Sequence, residues 1–174
     1  TQTSRGLGDV YKRQHQKSYH GSAIYSAQMS GSPMMHEHQN AEIPDIIFVT
    51  EPDVHRHKLQ KETTEDFVER LATNLEDLIL REGPETIAAF IAEPVMGVGG
   101  VIIPPKNYFE EVQKILSKYG VLLIADEVIC GFGRTGNMFG SETLGMFPDI
   151  MTVAKGLSSA YFPISAVFTN KKIN

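Results

Sequence analysis

The chain has 174 residues, 41% of them hydrophobic and 21% charged, and a net charge of −5, which is the composition of one good-sized globular domain. The acidic balance offers no basic patch for nucleic acid or an anionic membrane; no apolar run approaches the ~20 residues of a bilayer span, and no signal-peptide pattern is present. The single cysteine, Cys130, excludes an internal disulfide framework and suits a reducing compartment, so a cytoplasmic location is expected.

Residues 1–14, TQTSRGLGDVYKRQ, are polar and lack periodicity. GLGDVYKRQ resembles translated adapter sequence of the kind found at the ends of assembled fragments, so 1–14 is set aside as a non-native segment and 15–174 is taken as the domain piece. Ile24, Ala27 and Gln28 predict a short helix that stops by Gly31. The stretch SGSPMMHEHQNAEIP is rich in turn formers and reads as loop, with Ile46–Val49 a short strand. Two His-x-His pairs, His36 with His38 and His55 with His57, have no cysteine nearby and no HExxH spacing, so no metal site is expected.

Thr63 and Asp66 form a plausible capping box. Behind them Phe67, Leu71, Leu75, Leu78 and Ile79 recur at helical spacing, giving one apolar face that Gly83-Pro84 ends. Thr86–Ala92 is a buried strand candidate closed by Glu93-Pro94, and a glycine loop (Gly97, Gly99, Gly100) follows. A carboxylate at the mouth of a strand either caps a turn or faces a ligand; Glu93 has both readings. A second amphipathic helix is predicted over about 107–119, with Phe109, Val112, Ile115 and Leu116 inward. Strand, helix, strand in that order predicts a right-handed crossover and an α/β fold with a mostly parallel sheet flanked by helices.

From Leu122 the sequence carries its chemistry. Val121–Ala125 is short, apolar and rich in branched residues, as a strand buried on both faces is. It ends in Asp126 and Glu127. Ile150–Ala154 repeats the design and ends in Lys155-Gly156. Ligands of open α/β sheets sit beyond the carboxyl ends of strands. An acid and an amine so placed would face one crevice, where a lysine can form a Schiff base and an acid can hold a pyridinium. The same pattern also fits a helix cap and a solvated lysine. Cys130 has no partner in a nucleophilic arrangement and is expected to be structural. Arg134 is given no chemistry. Ile164–Thr169 is a further strand.

DEVICGFGRTG followed by PDIMTVAKGLSSAYFPISAV resembles the signature of the class III aminotransferases, enzymes of fold type I that use pyridoxal phosphate; the likeness is greatest to the ω-amino acid:pyruvate branch. The resemblance implies that Lys155 is the cofactor lysine, that Asp126 pairs with the pyridine nitrogen and that Val128 packs on one ring face. SYHGSA resembles the family's aromatic–His–Gly motif, which implies that Tyr19 stacks on the other face with His20 beside it. EPVMGVGG resembles the family's motif after the preceding strand and favours a cofactor-side role for Glu93. Members of the family are much longer, so the resemblance implies a piece of the large domain, without the phosphate-binding segment and the arginine that holds the acceptor carboxylate. It also implies a homodimer or dimer of dimers with small-molecule amine donors and keto acid acceptors.

Two positions narrow the expected acceptor. The ornithine and γ-aminobutyrate branches, which use 2-oxoglutarate, usually carry a second Glu five residues after the first; Val98 stands there. They usually place Gln three residues after the pyridine Asp; Ile129 stands there, beside the cofactor's ring hydroxyl. Both fit pyruvate. An aminomutase, racemase or phospho-lyase on the same scaffold would keep the same Lys and Asp, and the piece by itself could be inactive.

Overall fold

The computed structural model describes residues 11–36, 45–171 and 173, with side chains described from His15 onward. Six strands form one sheet: β1 (Tyr11–His15), β2 (Ile46–Val49), β3 (Ile87–Ala92), β4 (Leu122–Asp126), β5 (Ile150–Val153) and β6 (Ala166–Thr169). Their order across the sheet is β2-β1-β3-β4-β5-β6. The first five run parallel and only β6 is antiparallel, pairing with β5 from Ile150↔Thr169 to Val153↔Ala166. The α/β, mostly parallel architecture expected from the order of elements is the one observed.

After the short helix α1 (Ile24–Met29) and the single turn α2 (Val54–His57), the long helix α3 (Thr64–Glu82) starts at the box read from sequence. Thr63 Oγ1 accepts from the Asp66 amide and the Thr63 amide donates to Asp66 Oδ2. Its buried face, Phe67 to Ile79, meets α4 (Tyr108–Tyr119) and the strands β3 and β4 in one core with Phe90, Phe109 and Leu123. Each large apolar side chain removed from water there contributes roughly 1.5–3 kcal/mol. Helix α4 ends at Gly120, whose φ of 70° is the left-handed cap conformation that glycine adopts without strain.

Three expectations are adjusted. Strand β4 is not buried on both faces. Leu123 and Ala125 are buried under the helices, while Leu122 and Ile124, pointing the other way by strand alternation, are half-buried. Ile115 is likewise only partly covered. The loop before α3 holds a single helical turn, α2 (Val54–His57), capped by Asp53. Strand β1 begins inside the segment set aside as adapter-derived. A strand ladder uses only backbone amides and carbonyls, so the pairing of residues 11–14 carries no information about their origin. His38 lies outside the described residues.

Candidate active site

Four neighbouring parallel strands deliver the site. In the sheet they stand in the order β1, β3, β4, β5, and each gives a functional group just past its carboxyl end: Tyr19 and His20 after β1, Glu93 after β3, Asp126 at the end of β4 and Lys155 after β5. This is the edge at which open α/β sheets bind ligands. Tyr19, His20, Gly21, Glu93, Asp126, Val128, Ile129 and Lys155 line one cavity of about 60 Å³. The residues to which the resemblance gave a place at the cofactor therefore line one cavity.

Asp126 is 6% exposed and its two oxygens are oriented separately. Oδ1 accepts from the Val128 amide at 3.1 Å, and Oδ2 lies 2.7 Å from His20 Nδ1. His20 is itself fixed through its backbone, whose amide donates to Ser30 Oγ at 3.0 Å. Its other ring nitrogen, Nε2, is buried without a partner. Glu93 is buried as well: Oε1 accepts from the Tyr19 amide at 3.0 Å and Oε2 from the Gly97 amide at 2.9 Å. Burial raises its carboxyl above the usual range, with the neighbouring Asp126 charge adding to the rise, while the two amides pull the other way. The turn-capping reading of Glu93 is thus realised in its geometry, and it faces the cavity too.

Lys155 follows β5 on a short 3-10 turn, Lys155–Leu157, with φ of 42°, a left-handed backbone that an ordinary side chain seldom adopts. Such strain persists where the surroundings over-determine it, and it gathers at functional sites. Gly156 shows the constraint: a Cβ there would meet Phe132 Cβ at 3.0 Å. The Lys155 side chain is exposed and also borders an open crevice of about 760 Å³ lined by Arg134, Ser158, Tyr161, Phe162 and Ile164. A further groove, of about 960 Å³, runs along α4 to Val121 and Asp149. Those two residues precede β4 and β5, so that groove lies at the opposite ends of the strands.

Three features escaped the sequence. Glu127, fully buried, accepts from the amides of Gly140 and Ser141 and so caps α5 (Gly140–Leu144). Its place directly after Asp126, the last residue of β4, turns it to the opposite face from Asp126, a signal available from alternation. Glu51, buried beyond β2, meets Lys17 Nζ at 3.4 Å and His57 Nε2 at 3.0 Å. His15 is buried against Tyr108, 2.6 Å from its hydroxyl, and burial lowers its pKa to about 3, so it is neutral. Cys130 is buried with its thiol donating to the Val95 carbonyl, and burial raises it to about 11, as a structural cysteine should be. Among the described residues no group of three or more His, Cys, Asp or Glu could hold a metal ion.

The residues fit the ring end of pyridoxal phosphate. An oriented buried carboxylate, a lysine across the same cavity and an aromatic beside it are the donor set that a pyridinium and an aldehyde carbon need. The apolar Val128 and Ile129 suit a ring face.

Comparison with known proteins agrees. The aminotransferase class-III family model matches residues 13–174. A probable γ-aminobutyrate transaminase 3, mitochondrial, of Oryza sativa subsp. indica is 56% identical over 157 residues, 90% of this chain and 31% of that protein. A vanillin aminotransferase of Capsicum chinense is 54% identical over 91% of this chain and 34% of its own length. The ω-transaminase of Pseudomonas jessenii, solved in complex with PMP, superimposes with a TM-score of 0.91 at 50% identity, over 94% of this chain and 36% of that one. This chain spans about a third of the length of the curated relatives it matches. Class III aminotransferases depend on pyridoxal phosphate, and this chain belongs to that family.

Proposed function

We propose that the protein to which this chain belongs is an aminotransferase that moves an amino group from an amine or ω-amino acid to a keto acid, with pyridoxal phosphate held at Lys155. The observation that carries this is the convergence of Tyr19, His20, Glu93, Asp126, Val128, Ile129 and Lys155 on one cavity at the ends of four adjacent parallel strands. The relative named for γ-aminobutyrate supports an ω-amino acid as donor, and the one named for vanillin, an aldehyde, supports an aldehyde as a carbonyl partner of an amine.

Bound there, pyridoxal phosphate would supply an electron sink for the pair left behind when a C–H bond beside the substrate nitrogen breaks. The chain's own residues prepare for this. Lys155 would hold the cofactor through its amine, and that amine, when free, would serve as the acid–base group beside the substrate carbon. Asp126, oriented by the Val128 amide and His20, would set its carboxylate toward the ring nitrogen, where an opposite charge favours the protonated form. Tyr19 and Val128 would bound the ring on its two faces, and Glu93 would sit at the cofactor's side.

We assign pyruvate as the acceptor. Val98, largely exposed, and Ile129 are apolar where 2-oxoglutarate users usually carry a Glu that partners a gating arginine and a Gln beside the ring hydroxyl. One of the solved transaminases resembling this chain, at 51% identity, is described with L-alanine, the amino acid that pyruvate becomes. Residues 1–14 remain assigned as non-native and 15–174 as part of the cofactor-binding large domain, in a homodimer or dimer of dimers with no nucleic-acid or membrane partner. The reducing compartment expected from one cysteine is the cytoplasm.

Borohydride reduction of the full-length protein tests the core of the proposal. The cofactor should be fixed to the peptide carrying Lys155, and Lys155→Ala should abolish both label and transfer; a label elsewhere would overturn the assignment. Comparing pyruvate with 2-oxoglutarate against one amine donor tests the acceptor, and faster turnover with 2-oxoglutarate would refute it.

A further inference from the structure

Two loops meet at Glu93 beside the cavity. One follows β1 and carries Tyr19 and His20; the other follows β3 and carries Gly97. Between them stands Glu93, 3% exposed, with one carboxylate oxygen on each loop: Oε1 on the Tyr19 amide and Oε2 on the Gly97 amide. The neighbouring acid repeats the motif one strand over, since Asp126 Oδ2 holds the ring of His20, the residue after Tyr19. A two-residue segment is therefore clamped from the ends of two adjacent strands, by its backbone at Tyr19 and by its side chain at His20. Gly97 in turn sits against the cavity wall, since a Cβ on it would come within 2.5 Å of Ile129 Cδ1.

We propose that Glu93 is a positioning residue: a buried two-armed staple that sets the spacing of the Tyr19 and Gly97 loops and, through Tyr19, the wall against which the cofactor ring rests. The inference rests on the assignment of Lys155 as the cofactor lysine. A carboxylate is the side chain suited to the task, because it offers an acceptor at each end. Charge-assisted bonds of this kind are roughly twice as strong as neutral ones. Losing the acceptor strands two backbone donors in a buried place, which is costly for each. A glutamine of the same size offers one acceptor and one NH₂. Its NH₂ would face a backbone N–H, so it can hold only one loop.

Hydrogen exchange of the full-length protein without cofactor reads the staple directly, before any chemistry. In the wild type the segments around Tyr19 and Gly97 should both be protected. In Glu93→Ala both should exchange at least tenfold faster, with the α3 segment unchanged. In Glu93→Gln one of the two should open while the other holds. Titration with pyridoxal phosphate should then show affinity about tenfold weaker in Glu93→Gln and weaker still in Glu93→Ala, and the visible circular dichroism of the bound cofactor should change with it. If Glu93→Ala does not fold, Glu93→Gln alone decides. Unchanged exchange at both loops, or faster exchange with unaltered cofactor affinity and dichroism, would overturn the proposal. Borohydride labelling keeps the two questions apart: a label away from Lys155 removes the cofactor assignment, whereas a label on Lys155 with no effect of Glu93→Gln removes only the positioning role.

Discussion

The two halves of the sheet differ in how far they are covered. On the side of β3 and β4, α3 and α4 close over Phe67, Phe90 and Phe109, and Phe90 is fully buried. Beyond β5 the chain lies open: Tyr161 is 89% exposed, Phe162 61%, and β6 has three of its four residues exposed. Large apolar residues grouped at a surface mark places where further protein or ligand packs. Asp126 belongs to the covered half and Lys155 to the open one, so the site straddles the boundary. Its acid is held by partners within the chain, while its lysine borders an open crevice.

The comparison is broken most severely by taking the piece alone. Residues 15–174 expressed by themselves should be poorly soluble and should show no transamination, because the open half would be uncovered. A soluble fragment with a bound-cofactor absorbance and measurable transfer would show that the open half needs no cover. Next in size is Asp126→Asn in the full-length protein. It keeps the shape and removes the charge, so turnover should fall by at least about a hundredfold, which is ~2.7 kcal/mol of barrier. Cofactor should still be fixed to Lys155, and near-normal turnover would refute the pyridinium role.

The covered and open halves also predict different costs for the same truncation. Phe90→Ala should destabilise by ~3–5 kcal/mol, by lost transfer energy and a cavity the helices cannot refill. Phe168→Ala, on the half-exposed outer strand, should cost much less in any state where that strand is as open as it is here. Denaturant unfolding of both variants checks this, and a Phe168→Ala cost as large as that of Phe90→Ala would show that the outer strand is covered in the assembled protein.

The same division explains what was legible in the sequence. Helix α3 with its capping box, β2 at Ile46–Val49 and the strand-ending Asp126 and Lys155 all rest on spacing within a few residues, and each stands where the spacing put it. What could not be read joins distant positions. The Glu127 carboxylate reaches Gly140 and Ser141, the Tyr19 amide reaches Glu93 across 74 residues, and Glu51 gathers Lys17 and His57. Sequence shows that these acids stand at strand ends but not which loop folds back to donate. The expected full burial of β4 erred because an apolar run does not say how many of a strand's faces are covered: Leu123 and Ala125 are buried while Leu122 and Ile124 are half-buried.

The smallest effect isolates a purely local device in the covered half. At the start of α3 the Thr63 hydroxyl accepts from the Asp66 amide at 3.0 Å, and Asp66 Oδ2 accepts from the Thr63 amide at 2.9 Å. Thr63→Ala removes the first bond and should cost ~1 kcal/mol. The second bond belongs to a carboxyl held below its usual range by the Thr63 amide and hydroxyl. A depressed folded-state pKa means that the stabilisation is complete above the unfolded value and is lost as pH falls through the folded one. The two halves of the box should therefore separate with pH. The cost of Asp66→Ala should shrink as the carboxyl protonates, while that of Thr63→Ala should shrink less, losing the part due to the hydroxyl's hold on the carboxylate and keeping the part due to the lost acceptor for the backbone amide. Urea unfolding of both variants at neutral pH and near pH 3 distinguishes them, and parallel behaviour of the two would show that the Asp66 charge plays no part in holding the helix start.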